Sequence, residues 1–149
     1  MPVQTEANEQ KVVVFSLNKK EYALDVQHVV SIEKMQYFTR VPHVPNYIKG
    51  VINLRGVIIP IIDLRTRFQV EAAEYNQNTR IIITSLADKE VGLIVDEAND
   101  VMNIDMDTIE FQPDVIGTEK QNYIAGVVKI EDRLLILLKL EKILNLQED

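Results

Sequence analysis

The 149-residue sequence contains no cysteine and no tryptophan, and only two histidines, His28 and His43. Without cysteine there is neither a disulfide framework nor a thiolate metal site, and any metal centre would have to be built on carboxylates. Glycine is scarce too. The five glycines form no phosphate-cradling loop and no calcium-binding loop, and the two histidines do not form H-E-x-x-H. None of the three serines, Ser16, Ser31 and Ser85, sits in a G-x-S-x-G elbow. Nothing therefore marks a nucleophile with a base and an orienting group, and neither catalysis nor a cofactor is expected. Long apolar runs are also missing; the longest, around Leu134–Leu138, suits a buried strand rather than a membrane span. The segment Met1–Gln10 is polar and acidic, unlike a signal or transit peptide, so the chain reads as cytoplasmic with no direct membrane insertion.

What is present is ordinary in amount but unevenly placed. The chain is 46% hydrophobic and 26% charged, with a net charge of −7. Residues 1–70 carry nine Lys+Arg and six Asp+Glu, whereas residues 71–149 carry seven and seventeen. The split suggests two faces for different partners, or one face complementary to the next copy in an array. Nucleic acid is not an expected partner, because no basic patch is available to neutralise phosphates. The acidic positions Asp96, Glu97, Asp100, Asp105 and Asp107 lack the glycine and the ligand spacing of a calcium loop and read as a solvated rim.

An internal repeat organises the chain. Val12–Ile32 aligns without gaps with Ile81–Val101, 69 residues later, with six of 21 positions identical. Tyr47–Phe68 aligns with Tyr123–Leu144 at an offset of 76, keeping Tyr47/Tyr123, Ile48/Ile124, Gly50/Gly126, Val51/Val127 and Leu64/Leu140. The seven-residue change of offset falls in the connector. Each half reads as short alternating strands joined by tight turns. In the first half these are Val12–Leu17, Tyr22–Val26, His28–Glu33, Gly50–Leu54 and Val57–Ile62, with turns at Asn18–Lys19 and Arg55–Gly56 and a helical turn at Leu64–Phe68. In the second they are Arg80–Leu86, Val91–Val95, a weak strand near Val101–Ile104, Ile124–Ile130 and Arg133–Leu138. Leu140–Leu146 follows as a helix with an apolar face. The expected fold is all-β: two five-stranded barrels at roughly 11–70 and 79–139, a C-terminal helix at 140–146, and strand exchange between the barrels.

One segment, Ile48–Phe68, carries more than its fold needs. Where the second half makes its turn with Glu131-Asp132, the first uses Arg55-Gly56, so a bare turn does not require arginine. An arginine at a rigid hairpin tip is positioned for bidentate contact with carboxylates or carbonyls. The run KGVINLRGVIIPIIDLR, preceded by the Val41-Pro42 loop and followed by VGLIVDEANDV, resembles the CheW family of chemotaxis coupling proteins. The similarity runs from about Lys11 to Leu146, and the N-L-R-G, P, D-L-R combination at this spacing is its specific part.

The resemblance implies two intertwined SH3-like barrels without enzymatic activity. It also implies an adaptor that joins the cytoplasmic tip of methyl-accepting chemoreceptors to the regulatory domain of the CheA histidine kinase, with further adaptor copies as partners. Carried over by position, the receptor-binding residues are Val29, Ser31, Ile32, Ile48, Lys49, Asn53, Leu54, Arg55 and Gly56. The kinase-binding residues are Arg55, Arg80, Ile81, Val115 and Ile116, the last two in the seven-residue insertion. Some members have glutamate where this chain has Ser31, and Glu33, two residues on along the same strand face, is placed to substitute. With no kinase, dimerisation or phosphotransfer segment in the sequence, a free adaptor recruited to receptor arrays is expected. A scaffold for a related pathway such as surface motility is the alternative.

Overall fold

Four two-residue turns set the frame of the chain. Asn18 and Lys19 have φ of 54° and 68°, Arg55 and Gly56 52° and 88°, and Ala87 and Asp88 53° and 67°; Glu131 opens the fourth turn at 56°. Left-handed backbone at both positions, as in the first three turns, matches the twist of antiparallel strands and locks the register of the hairpin it closes. The computed structural model describes residues 8–111 and 123–144.

The elements, in chain order, are β1 (Glu9–Leu17), β2 (Lys20–Asp25), β3 (Val29–Lys34), β4 (Ile48–Leu54), β5 (Val57–Asp63) and α1 (Leu64–Arg67), then β6 (Arg80–Leu86), β7 (Lys89–Val95), β8 (Glu97–Asp105), β9 (Ile124–Ile130), β10 (Arg133–Leu138) and α2 (Leu140–Ile143). Two five-stranded sheets result. Sheet A has the order β8-β1-β2-β10-β9 and sheet B the order β3-β6-β7-β5-β4. The all-β expectation holds, and neither sheet comes from one half of the chain alone. The hairpin β1–β2 of the first half pairs with the last three strands of the second, and β6–β7 pairs with β3, β4 and β5.

Three local expectations are corrected. His28 lies in a 3-10 turn (Val26–His28) rather than in a strand, because the Asp25 carboxylate accepts the Gln27 N–H at 2.9 Å and caps that turn. The weak strand near Val101 is the nine-residue β8, paired along the length of β1; as an edge strand it needs little apolar alternation. Among the described residues α2 is a single turn, Leu140–Ile143, and residues 145–149 lie outside them.

The strand exchange explains the continuous apolar runs. Phe15, Tyr22, Leu24, Ile136 and Leu138 of sheet A meet Ile62, Ile82, Val91, Leu93 and Val95 of sheet B in one buried cluster, joined by Leu64, Phe68, Leu140 and Ile143. The alternate residues of the same strands build a second cluster on sheet A (Val12, Val14, Ala23, Leu135, Leu137) and a third on sheet B (Ile59, Ile61, Ile81, Ile83, Ile94). Strands buried on both faces read as unbroken apolar sequence. Phe15, Tyr22, Phe68 and Tyr123 form a row through the central cluster, with centroids 5.8, 5.8 and 5.3 Å apart, the first pair stacked and the other two tilted. Burial there pushes the Tyr22 phenol up to about 12.

The repeated glycines have a packing reason. Gly50 and Gly126 sit where a connector crosses an edge strand: Thr39 exchanges backbone hydrogen bonds with Val51 (2.9 and 2.8 Å), and Glu110 does so with Val127 (2.9 and 2.6 Å). A Cβ on Gly50 would run into the Thr39 carbonyl, and one on Gly126 would lie 2.5 Å from Ile109 Cγ2 and 2.9 Å from the Glu110 carbonyl oxygen. Overpacking of this kind costs about 1–3 kcal/mol. Gly50→Ala and Gly126→Ala are each expected to lower unfolding stability by that amount in urea titrations; midpoints equal to the parent's would refute the close-approach account.

Candidate functional site

The β4–β5 hairpin, which carries the specific sequence pattern, has one anchored end and one free end. At the anchored end Asp63 caps α1, accepting the Arg65 N–H at 2.9 Å, while its other oxygen accepts the Tyr75 hydroxyl at 2.8 Å. Arg65 then forks onto Asp96 from the second half, with Nε to Oδ1 at 2.9 Å and Nη2 to Oδ2 at 2.7 Å, and donates to the Glu71 carbonyl at 2.7 Å. Asp96 also accepts the Asn18 N–H at 2.9 Å, which ties in the β1–β2 turn. Partial burial works against the charge on Asp96. The Arg65 fork and the Asn18 N–H outweigh it and hold the carboxyl below the usual carboxylate range. The D-L-R part of the pattern is therefore a fastening between the halves.

The free end is the turn. Asn53 Oδ1 accepts the Gly56 N–H at 2.9 Å and closes it. Arg55 stands at the tip with its side chain 69% exposed, and its Nη2 donates to Glu33 Oε2 at 3.4 Å. The same oxygen of Glu33 accepts the Ser31 hydroxyl at 2.8 Å. Since β3 and β4 are the two edges of sheet B, this pair bridges the sheet's open seam. Of the positions carried over from the resemblance, Ser31, Asn53, Leu54, Arg55 and Gly56 thus come together, with Glu33 where a charged contact was expected. Leu54 packs partly against the apolar cluster of sheet B, and Val29 partly against the central one.

Ile32 lies exposed on the opposite face of β3 beside Val30, and Ile48 and Lys49 are half-buried at the start of β4. Arg80 spends its guanidinium on the carbonyls of Gln77 and Thr79, both at 2.9 Å. Ile81 is a correction: it is fully buried among the isoleucines of sheet B and presents no surface to a partner. Val115 and Ile116 lie outside the described residues.

Sequence reasoning missed the apolar exposure around the turn. Val30, Val57 and Ile58 are 53%, 49% and 60% exposed. The repeat held the signal, because Val57 and Ile58 stand where the second half has Arg133 and Leu134. The acidic stretch is a second correction, since most of it is engaged rather than merely solvated. Asp96 holds Arg65, Asp100 contacts Arg133, Asp105 caps a 3-10 turn and Asp107 accepts from Asn8. Among the described residues no group of three or more His, Asp and Glu could hold a metal ion, and no helix is long and apolar enough to cross a membrane.

Comparison with known proteins covers nearly the whole chain. Residues 11–148 match the family model of the CheW-like domain. The chemotaxis protein CheW of Bacillus subtilis (strain 168) is 48% identical over 136 residues, covering 91% of this chain and 87% of that protein. Its namesake from Klebsiella aerogenes is 37% identical over 139 residues, covering 93% and 84%. Among solved structures, the crystal structure of the scaffolding protein TtCheW from Thermoanaerobacter tengcongensis superposes with a TM-score of 0.83 at 38% identity, covering 91% of this chain and 92% of that one.

The fastening at the anchored end makes stability depend on pH. A carboxyl held below its unfolded value of about 3.9 stabilises the fold above that pH and loses the contribution as pH falls through its folded value. Asp96→Asn is expected to cost about 1–2 kcal/mol at pH 7, allowing for the solvent access of the pair. The gap to the parent should narrow as pH drops below about 4. Urea unfolding at pH 7 and pH 3 checks this, and a gap independent of pH would contradict it.

Proposed function

The chain belongs to the CheW-like domain family, and from that premise we propose that it is a non-catalytic adaptor coupling the cytoplasmic tips of chemoreceptors to a CheA-type histidine kinase in chemotaxis signalling arrays. Relatives spanning almost the whole chain are named for chemotaxis, and a solved neighbour is described as a scaffolding protein.

The observation that carries the reading is the seam of sheet B. The Arg55–Glu33 contact is a single long one on an exposed side chain, of a kind worth about 0.2–1 kcal/mol at most. A partner carboxylate can recruit Arg55 at little cost, while the closed turn keeps its backbone in place. The exposed Val30, Ile32, Val57 and Ile58 supply the apolar contact that an amphipathic helical hairpin needs. In this reading the receptor tip takes Val29, Ser31, Ile32, Ile48, Lys49 and the Asn53–Gly56 turn. The kinase regulatory domain takes Arg55, Arg80, Val115 and Ile116, and further adaptor copies extend the array. The chain works in the cytoplasm and is recruited to membrane-bound receptors by these contacts. Each contact is modest, and simultaneous engagement raises the effective concentration of the next.

Pull-down and titration with a receptor-tip fragment and the kinase regulatory domain test the proposal. The parent is expected to retain both partners, and Arg55→Ala to weaken at least one by about fivefold or more with the urea midpoint unchanged. Retention of neither partner by the parent would overturn the adaptor function; unchanged affinity of the variant for both would remove Arg55 from it.

A further inference from the structure

The two sheets match in strand register, so each serves as a control for the other. In sheet A, Ser16 pairs with Glu21, Val14 with Asp100, and Leu137 with Ala23 in the parallel contact. In sheet B the matching pairs are Ser85 with Glu90, Ile83 with Ser31, and Ile61 with Gly92. Arg133 opens β10 directly after its turn, as Val57 opens β5.

In sheet A this location is filled. Arg133 forks onto Glu21 (Nε to Oε1 3.0 Å, Nη2 to Oε2 2.8 Å) and reaches Asp100 at 3.2 and 3.3 Å. Asn99 closes the set by donating to Ser16 and Glu21 at 2.9 and 2.8 Å. The Arg133 contact, and after it Asn99, hold Glu21 below its ordinary pKa against the effect of burial. In sheet B the carboxylate remains and the cation is gone. Glu90 is half-buried in the place of Glu21, yet among the described residues its carboxylate has no hydrogen-bond or ion-pair partner. Val57, 49% exposed, stands where Arg133 would be. Arg55 does not take over, since its contact is the single one with Glu33 at 3.4 Å.

We propose that the turn end of sheet B is a seat for an arginine of the receptor tip, which lies over Val57 and forks onto Glu90 as Arg133 forks onto Glu21 in sheet A. The inference rests on the adaptor reading above and deepens it. The receptor is favoured over the kinase because Ser31, a position assigned to receptor contact, lies on the inner face of sheet B with Glu90. With Arg55 offering a cation at the turn and Glu90 an anion on a neighbouring strand, a docked helix is held in one orientation.

The test titrates a receptor-tip fragment and, separately, the kinase regulatory domain into the parent, Glu90→Gln, Val57→Arg and Val57→Met. Glu90→Gln is expected to weaken receptor-tip binding by about fivefold or more and to flatten its salt dependence. Val57→Arg, which fills the seat from within, should weaken it about tenfold or more without lowering the urea midpoint. Val57→Met, similar in length and uncharged, keeps an apolar floor and leaves Glu90 free, so it is expected to lose markedly less than Val57→Arg. Parent-like binding by Glu90→Gln, equal losses in the Met and Arg variants, or a loss confined to the kinase domain would each overturn the seat while leaving the adaptor function standing. Failure of the parent to bind either protein would instead overturn the adaptor reading, and the seat with it.

Discussion

The structure depends on one constraint: the central apolar cluster belongs to both sheets and can be completed by neither half of the chain alone. Phe15, Tyr22, Leu24, Ile136 and Leu138 present one side of it, and Ile62, Ile82, Leu93 and Val95 the other. Because each sheet borrows a hairpin from the opposite half, breaking either sheet exposes this cluster, and the two are bound into one cooperative unit. A scaffold that must hold partners at fixed spacing benefits from such coupling, since neither sheet can swing relative to the other without opening the core.

The repeat is faithful in its backbone contacts and broken at particular side chains. The backbone carbonyls of Tyr47 and Tyr123 accept the N–H groups of Asp63 and Lys139 at 2.8 and 2.7 Å, a matched pair of contacts. The symmetry then fails at Arg67, whose counterpart is Ile143. Its guanidinium lies 4.2 Å from the Tyr47 ring centroid and 5.0 Å from that of Tyr123, and it donates to the Ile143 and Lys142 carbonyls at the end of α2. One arginine thus lies against both tyrosines, while the matching position of the second half is the buried Ile143. The exchanges of Arg55 for Glu131 and of Val57 for Arg133 do the same at the surface. They close one turn end with its own ion pairs and leave the other open.

Much of this was legible in the sequence. The period-2 patterns and turn residues gave the strand positions, the repeat gave two equivalent units, and the Arg55 turn stood out against its own duplicate. Other features were not readable, for identifiable reasons. His28 was misplaced because a three-residue turn capped by Asp25 looks locally like the continuation of a strand. Ile81 was carried over by position from the resemblance, and neighbouring strand positions point to opposite faces, so a contact at Arg80 does not extend to Ile81. The role of Arg65 and Asp96 was hidden because the two are 31 residues apart and meet only through strand exchange.

The four sheet edges are treated unequally. An unpaired edge invites association, and folded proteins close, charge or cover it. Here the β4 edge is crossed by the Thr39 bridge and the β9 edge by the Glu110 bridge. The β8 edge carries Glu97, Asp100 and Asp105, so its exposed Val101 is flanked by charge. Among the described residues, β3 alone has neither a crossing bridge nor a row of carboxylates; it offers Val30 and Ile32 to solvent and reaches Arg55 through Glu33. Among the described residues β3 is thus the edge left both apolar and open, and it lies beside the turn singled out by the broken repeat.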